Sequence, residues 1–107
     1  MAVSAAARFF FEDGILKKSR HIEVTLQDVT PEMAAELLAR NRNTRRLDPA
    51  WVHELSLRIL EGSFELRKDG IDLDIEGNLI NGQHRLSAII EAGKTVPIYV
   101  HVWECKE

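Results

Sequence analysis

Cysteine is almost absent from this sequence. The only one among the 107 residues is Cys105, which cannot form a disulfide within the chain, and this fits a reducing compartment. One cysteine and four scattered histidines also argue against a zinc site. We therefore expect no structural metal.

Long apolar runs are missing as well. None approaches the roughly 18 residues that a membrane-spanning helix needs. The opening MAVSAAARFFFEDG is small and apolar, but no basic residues precede it and acidic residues follow, so it resembles neither a signal peptide nor a transit peptide. We therefore expect a cytoplasmic protein that does not contact a membrane.

Basic residues are outnumbered by acidic ones. The net charge of −3 argues against a protein whose whole surface binds nucleic acid. The segment RNRNTRR, residues 40–46, nevertheless holds four arginines. It is either a solvated helix end and loop, since cations suit a helix C-terminus, or a loop that contacts an anion.

The composition, with 45% hydrophobic and 29% charged residues, is typical of a globular domain. We predict a single domain over residues 1–107, with residues 1–19 as an N-terminal extension of uncertain structure. Within the extension, AAARFFF is compatible with a short helix. Its three consecutive phenylalanines, residues 9–11, either complete the core or form an exposed patch for a partner or a second copy. We favour the core, because a small domain needs the apolar area.

Secondary structure follows from periodicity and cap residues. The alternation of Ile22, Val24 and Leu26 predicts a strand over residues 21–26. Thr30-Pro31 and Asp48-Pro49 predict two helix starts, the first helix ending near residues 40–41 and the second at Gly62.

The second half of the chain changes period. Ile71, Leu73 and Ile75 alternate with Asp72 and Asp74, which predicts a strand with the aspartates facing solvent. After these residues we predict a turn at residues 76–78, a return strand to residue 81, a helix over residues 82–92 and a strand over residues 96–103. Pro97 indicates that the start of this last strand lies at an edge or is unpaired. The predicted fold is α+β, a small mixed sheet with about three helices.

The stretch INGQHRLSA carries the most specific chemical pattern. Asn81 is predicted to cap the helix, and Gly82 to let a ligand approach the backbone. His84 should point away from the core, and Arg85 should lie at the edge of the buried face. A cation in the first turn of a helix is locally unfavourable, and a bound phosphate would compensate. Alternatively, Gly82 is only a turn residue, His84 an exposed polar residue, and Arg85 a partner of Glu91 or of another carboxylate.

Two segments resemble the ParB/sulfiredoxin superfamily. GNLINGQHRLSAIIEAGKTVPIYV looks like its signature region, in the branch that reads Asp-Gly-Gln-His-Arg, and NRNTRRLDPAWVHELSLRILEG resembles the Asn-and-Arg loop and following helix of ParB N-terminal domains. The resemblance covers about residues 40–103. It implies a small α+β nucleotide-binding fold whose glycine turn holds nucleotide phosphates, with ATP or CTP and Mg²⁺ as the expected cofactors. The positions that would bind phosphate are Gly82, Gln83, His84 and Arg85, with Arg45 or Arg46 as the upstream arginine.

The sequence also departs from the family pattern. Gln83 stands where sulfiredoxins have their catalytic cysteine and where ParB has a glutamate, which argues against sulfinic acid reduction and ParB-like CTP hydrolysis. Asn81 stands where the branch has aspartate. No helix-turn-helix segment accompanies the domain, so ParB-like reading of a DNA sequence is not expected.

Three functions remain open from the sequence. The first is a nucleotide-dependent phosphotransferase or triphosphatase, in which Mg²⁺ bridges the phosphates. The second is a non-catalytic binding module of phage or mobile-element type that senses a nucleotide or acts on a protein partner, and the third is DNA binding through the arginine segment and the glycine turn. The acidic residues available as a catalytic base are Asp69, Asp72, Asp74, Glu61 and Glu65.

Overall fold

A computed structural model describes residues 7–12, 15–42, 46–64 and 70–106, with side chains for residues 19–42, 46–64 and 70–104. The described residues form five strands and three helices, which confirms the predicted α+β class. In chain order the elements are β1 (Ala7–Glu12), β2 (Ile15–Val29), α1 (Pro31–Ala39), α2 (Pro49–Glu61), β3 (Ile71–Asp74), β4 (Leu79–Asn81), α3 (Gln83–Ala92) and β5 (Val96–Lys106).

The strands form one mixed sheet in the order β1-β2-β5-β3-β4. β3 and β5 run parallel, and the other neighbours run antiparallel. Pro97 pairs with Asp28 of β2, while the register with β3 begins only at Val100. Within the described residues, the start of β5 is therefore paired on one side, as the proline predicted.

The starts of α1 and α2 and the end of α2 agree with their predicted caps. The Thr30 hydroxyl accepts a hydrogen bond from the Met33 N–H at 3.1 Å, and the Asp48 carboxylate accepts from Ala50 and Trp51 at 3.0 and 3.3 Å. Gly62 ends α2 at a φ of 75°, a left-handed conformation that favours glycine. These boundaries depend only on neighbouring residues, which is why the sequence predicts them.

The helices cover one face of the sheet, where they share a core with alternate residues of β5. Leu86 and Ile89 of α3 are fully buried in that core. Helix α3 packs against both α1 and α2, so the core holds it in place along its length. The buried core residues are Val29, Ala34, Val52, Leu55, Ile59, Ile71, Leu79, Leu86, Ala88, Ile89, Val96, Ile98 and Val100.

Two of the apolar residues that alternate in β2 are exposed. Leu26 is 53% exposed and Ile22 40% exposed. Leu26 pairs with Tyr99, which alternates with the core residues Ile98 and Val100, so Leu26 lies on the sheet face that the helices do not cover. Ile22 lies at an irregularity in the register between β2 and β5.

The predicted faces of β3 are wrong at the aspartates. Asp72 and Asp74 are 2% and 6% exposed, whereas Ile75 is 59% exposed. Asp72 accepts a hydrogen bond of 2.8 Å from the indole N–H of the buried Trp103. Asp74 accepts from the backbone N–H groups of the turn that follows it, so hydrogen bonds compensate both carboxylates for burial.

The N-terminal segment contains no short helix over its described residues. Ala7–Glu12 is strand β1, which pairs antiparallel with the first part of β2. Aromatic residues fit a pleated strand well, and pairing with β2 satisfies backbone groups that a single helical turn would leave unpaired. The side chains of residues 9–11 lie outside the described part, so their predicted place in the core stays a prediction.

Candidate functional site

Gly82 joins β4 to α3 and is the N-cap of the helix. Its φ of 119° lies in the region that favours glycine. A Cβ atom added at Gly82 would lie 2.5 Å from Cγ2 of Ile71, well inside van der Waals contact. The close packing of α3 on β3 therefore requires glycine at this position, whether or not a ligand approaches it.

Asn81 was predicted to cap α3, and this prediction is wrong. Asn81 is the last residue of β4, and its side-chain amide lies 3.4 Å from the Asp72 carboxylate on the neighbouring strand. The N-cap is Gly82, which has no side-chain oxygen to offer the helix. Helix α3 thus differs from α1 and α2, whose N-caps are Thr30 and Asp48.

His84 connects the starts of two helices. It lies in the first turn of α3, half-buried, and its Nε2 accepts a hydrogen bond of 2.9 Å from the backbone N–H of Asp48, the N-cap of α2. Further along, Glu91 of α3 contacts Ser56 and His53 of α2. Contacts at both places show that the two helices run in the same direction with their N-termini side by side.

Two parallel helices place their positive dipole ends together. Each N-terminus is equivalent to roughly +0.5 elementary charge. The Asp48 carboxylate offsets the end of α2, and no corresponding carboxylate caps α3 at Gly82. Arg46, whose side chain is exposed, lies on the segment that leads into Asp48 and adds a full positive charge close by in the chain. The two helix dipoles and Arg46 therefore give positive character to this end of the helix pair, which the Asp48 carboxylate offsets in part.

The neighbours of His84 in the first turn of α3 have structural partners. Arg85 donates a hydrogen bond of 2.6 Å to the carbonyl oxygen of Gly70, where the chain enters β3. The buried Gln83 accepts one of 2.9 Å from the side-chain amide of Asn41. Among the residues predicted to bind phosphate, the structure thus brings Gly82, Gln83, His84 and Arg85 together, and Arg45 lies outside the described residues.

The beginning of the arginine segment holds the β3–β4 turn. The Arg40 guanidinium donates to the carbonyl oxygen of Glu76 and to the side-chain oxygen of Asn78. Arg42 lies 3.5 Å from the Asp74 carboxylate, and backbone hydrogen bonds join residues 40 and 42 to Leu79. Both arginines therefore have structural contacts, which favours a structural role over an anion-binding one for this part of the segment.

None of the candidate catalytic bases in the described residues is exposed at the start of α3, although the Asp72 carboxylate lies 3.4 Å from the side-chain amide of Asn81, which precedes Gly82. Glu61 lies at the opposite end of α2. Asp72 and Asp74 are buried and align with His101 and Trp103 of β5, which lie on the sheet face away from the helices. Glu65 and Asp69 lie outside the described residues.

A polar cluster on the sheet face opposite the helices was missed by sequence reasoning. His21 stacks on Trp103 with ring centroids 4.6 Å apart, and its Nε2 lies 3.0 Å from Nδ1 of His101. Trp103 in turn bonds to Asp72. The alternation of His101 and Trp103 was the available signal, but only the register of β2 and β5 brings the residues together.

A second missed group joins α2 to α3. The Ser56 hydroxyl donates to the Glu91 carboxylate at 2.5 Å, and Nδ1 of His53 lies 2.8 Å from the same oxygen. The hydrogen bond from Ser56, and then that from His53, lower the pKa of Glu91 below its usual value. Ser56 points to the carboxylate and not to the imidazole, so the group is a helix-to-helix link and not a nucleophile with its base.

Two surface cavities lie away from the start of α3. One of about 190 Å³ is lined by residues of α1 and the sheet, including Gln27, Glu36 and Arg40. Another of about 180 Å³ lies at the far end of the helix pair, beside Gly62 and Lys94.

The described residues contain no group of three or more His, Cys, Asp or Glu side chains that could hold a metal ion. None of the three helices in the described ranges has the length and apolar character that a membrane crossing requires. No protein-family model, no curated protein and no solved structure matches the chain.

Proposed function

We propose that the chain binds a phosphate group of a nucleotide at the adjoining N-termini of α2 and α3. The observation that carries this proposal is the hydrogen bond from the Asp48 backbone N–H to Nε2 of His84, which joins two parallel helix starts. Two positive dipole ends in one place attract an anion more strongly than one. The resemblance of INGQHRLSA to a nucleotide-binding turn favours the same location.

His84 supplies a hydrogen-bond donor in this arrangement. Because Nε2 accepts from Asp48, the neutral imidazole carries its proton on Nδ1, and this nitrogen can donate to a phosphate oxygen. Arg46 contributes an exposed positive charge. Arg85 acts mainly as a positioning residue, since it holds the start of β3 through Gly70.

Binding without turnover is the favoured activity. The described carboxylates that were candidate bases are at the other end of α2 or buried on the opposite face of the sheet. The carboxylate of Asp48 accepts two backbone N–H groups of α2. The nucleotide would therefore bring its own Mg²⁺ on its phosphates, and the protein would recognise the complex without transferring the phosphoryl group.

Calorimetric titration with ATP, CTP and GTP, each with and without Mg²⁺, tests the proposal. Arg46→Gln and Lys94→Gln form a matched pair, because each removes one exposed positive charge, and the two residues lie at opposite ends of the helix pair. We expect Arg46→Gln to weaken nucleotide binding by about three- to tenfold and Lys94→Gln to leave it unchanged. Inorganic triphosphate should compete with the nucleotide.

Three results would contradict the proposal. The first is the absence of binding at millimolar nucleotide, and the second is an equal loss in the two charge variants. The third is failure of triphosphate to compete, which would move recognition from the phosphates to the base. Chromatography of the nucleotide after prolonged incubation separates binding from hydrolysis or transfer.

A protein-binding role is the second candidate, and the exposed apolar residues beside the same helix start favour it. Leu47 and Trp51 flank Asp48 and are 39% and 42% exposed. Such residues at one end of a helix suit contact with a protein partner. If no nucleotide binds, Trp51→Ala becomes the variant with which to compare capture of partners.

A further inference from the structure

β1 is an edge strand of the sheet. It stands first in the strand order and pairs, within the described residues, with β2 alone. An edge strand presents backbone N–H and C=O groups along its outer side, and these can pair with another strand. The other edge, β4, has only three residues, and Asn41 forms a bridge to it at Leu79. The two edges therefore differ in their capacity to add a strand.

The sequence of β1 carries little of the usual protection against such pairing. Natural edge strands are blunted by proline, by lysine and other charged side chains, by bulges or by short length. Ala7–Glu12 has six residues, with neither proline nor lysine, and its register with β2 is regular throughout. Three consecutive phenylalanines, residues 9–11, occupy its centre, and aromatic residues pair favourably across strands.

We propose that two copies of the chain associate by antiparallel pairing of their β1 strands. A two-fold axis perpendicular to the sheet leaves each residue on the same face of the sheet. Residues directly opposite each other share a face, so an even-numbered residue must lie opposite an even-numbered one of the second copy, and an odd-numbered residue opposite an odd-numbered one. Only registers in which the axis passes between two copies of the same residue satisfy this condition; we call them centred on that residue. The two that use most of β1 are centred on Phe9 and on Phe10.

Charge selects between the two registers. Centred on Phe10, the pairing places Arg8 opposite Glu12 of the second copy, and symmetry provides this pair twice. Centred on Phe9, it places Arg8 opposite Phe10 and leaves Glu12 beyond the pairing. Opposite charges directly across antiparallel strands are stabilising and like charges destabilising. The segment RFFFE is therefore self-complementary about its central residue, and the second copy is the partner it fits best.

The pairing would extend the sheet to ten strands across the two copies. It takes place at β1, whereas β4, which leads into α3, is the opposite edge. Self-association and phosphate binding are thus separate properties of the molecule, and either can fail without the other.

Sedimentation equilibrium on the full chain and on charge variants tests the proposal. Arg8→Glu places two like-charged pairs across the interface, as does Glu12→Arg, and we expect each to weaken the dimer by on the order of tenfold or more. The double variant Arg8→Glu/Glu12→Arg restores opposite charges and should restore the dimer. Arg58→Glu, at an exposed position on α2, makes the same change in net charge as Arg8→Glu and should have no effect.

Cross-linking tests the register. In a Cys105→Ser background, Phe10→Cys places two thiols opposite each other across the axis. Paired residues of antiparallel strands have Cα atoms about 4.5–5.5 Å apart, within the range for a disulfide. We expect oxidation to cross-link Phe10→Cys and not Phe9→Cys, with far-UV circular dichroism confirming that each variant folds. A monomer at all concentrations, a dimer unaffected by the charge changes, or cross-linking of Phe9→Cys alone would overturn the proposal.

Discussion

The role of Gly82 gives the sharpest test of how the candidate site is built. If glycine is required because α3 packs on β3, then Gly82→Ala should destabilise the protein. The added Cβ would lie 2.5 Å from Cγ2 and 2.9 Å from Cβ of Ile71, which is fully buried and cannot move freely. If glycine is required only for ligand approach, the variant should keep its stability and lose nucleotide binding.

The magnitude follows from two contributions. Overpacking a core typically costs about 1–3 kcal/mol, and a left-handed conformation costs a residue with a Cβ about 1–2 kcal/mol more. We therefore expect Gly82→Ala to lower the free energy of unfolding by about 2–5 kcal/mol. At about 4 °C per kcal/mol for a domain of this size, the melting temperature should fall by about 8–20 °C.

Gly93→Ala is the matched control. Gly93 is the C-cap of the same helix with a φ of 67°, but a Cβ there meets nothing within 4 Å. This control therefore carries the conformational cost alone, about 1–2 kcal/mol. Thermal and urea unfolding followed by circular dichroism measure both variants.

A compensating substitution isolates the packing contribution. Ile71→Leu removes the Cγ2 atom and on its own should cost less than about 1.5 kcal/mol. Gly82→Ala should then cost clearly less in the Ile71→Leu background than in the wild-type chain. Equal losses in Gly82→Ala and Gly93→Ala, or strict additivity with Ile71→Leu, would refute the packing argument.

Two further predictions concern the groups that join secondary-structure elements. Hydrogen bonds from Ser56 and His53 lower the pKa of Glu91 below 4.5. Ionised Glu91 therefore stabilises the fold fully above about pH 4.5, and this stabilisation is lost as the pH falls through the pKa of the folded state. Glu91→Gln should therefore melt below the wild type at pH 7, with the difference shrinking in acid; a constant difference from pH 7 to pH 3 would contradict this. Trp103→Phe removes the donor to the buried Asp72 and should cost about 1–3 kcal/mol in urea unfolding. Substituting the exposed tryptophan of α2 by phenylalanine should cost less than about 0.5 kcal/mol, and equal costs would count against the buried hydrogen bond.

Most helix boundaries could be predicted from the sequence, because a cap depends on residues within one turn. Thr30, Asp48 and Gly62 act as the sequence predicts. Asn81 was the exception. Its side chain lies near Asp72 of the adjacent strand, and the cap position passes to Gly82. Asn81 contacts the neighbouring strand instead of capping the helix that follows it. A prediction made from near neighbours in the sequence cannot include such a contact.

The sequence proposed the candidate site but did not explain how it is built. The residue types of the α3 turn indicated an anion site, and the structure places Gly82, Gln83, His84 and Arg85 together at the helix start. Their partners come from distant segments. Asp48 joins His84, Asn41 joins Gln83, and Gly70 joins Arg85.

The sequence by itself determined the fold class, the helix starts at Thr30 and Asp48, and the turn at Gly82. These follow from periodicity and from hydrogen bonds between near neighbours. Only the tertiary structure decided that Asp72 is buried and Leu26 exposed. Alternation shows that a strand has two different faces, but which face is covered depends on where the helices pack and on the strand register. The same packing brought the starts of α2 and α3 together, and with them the proposed phosphate site.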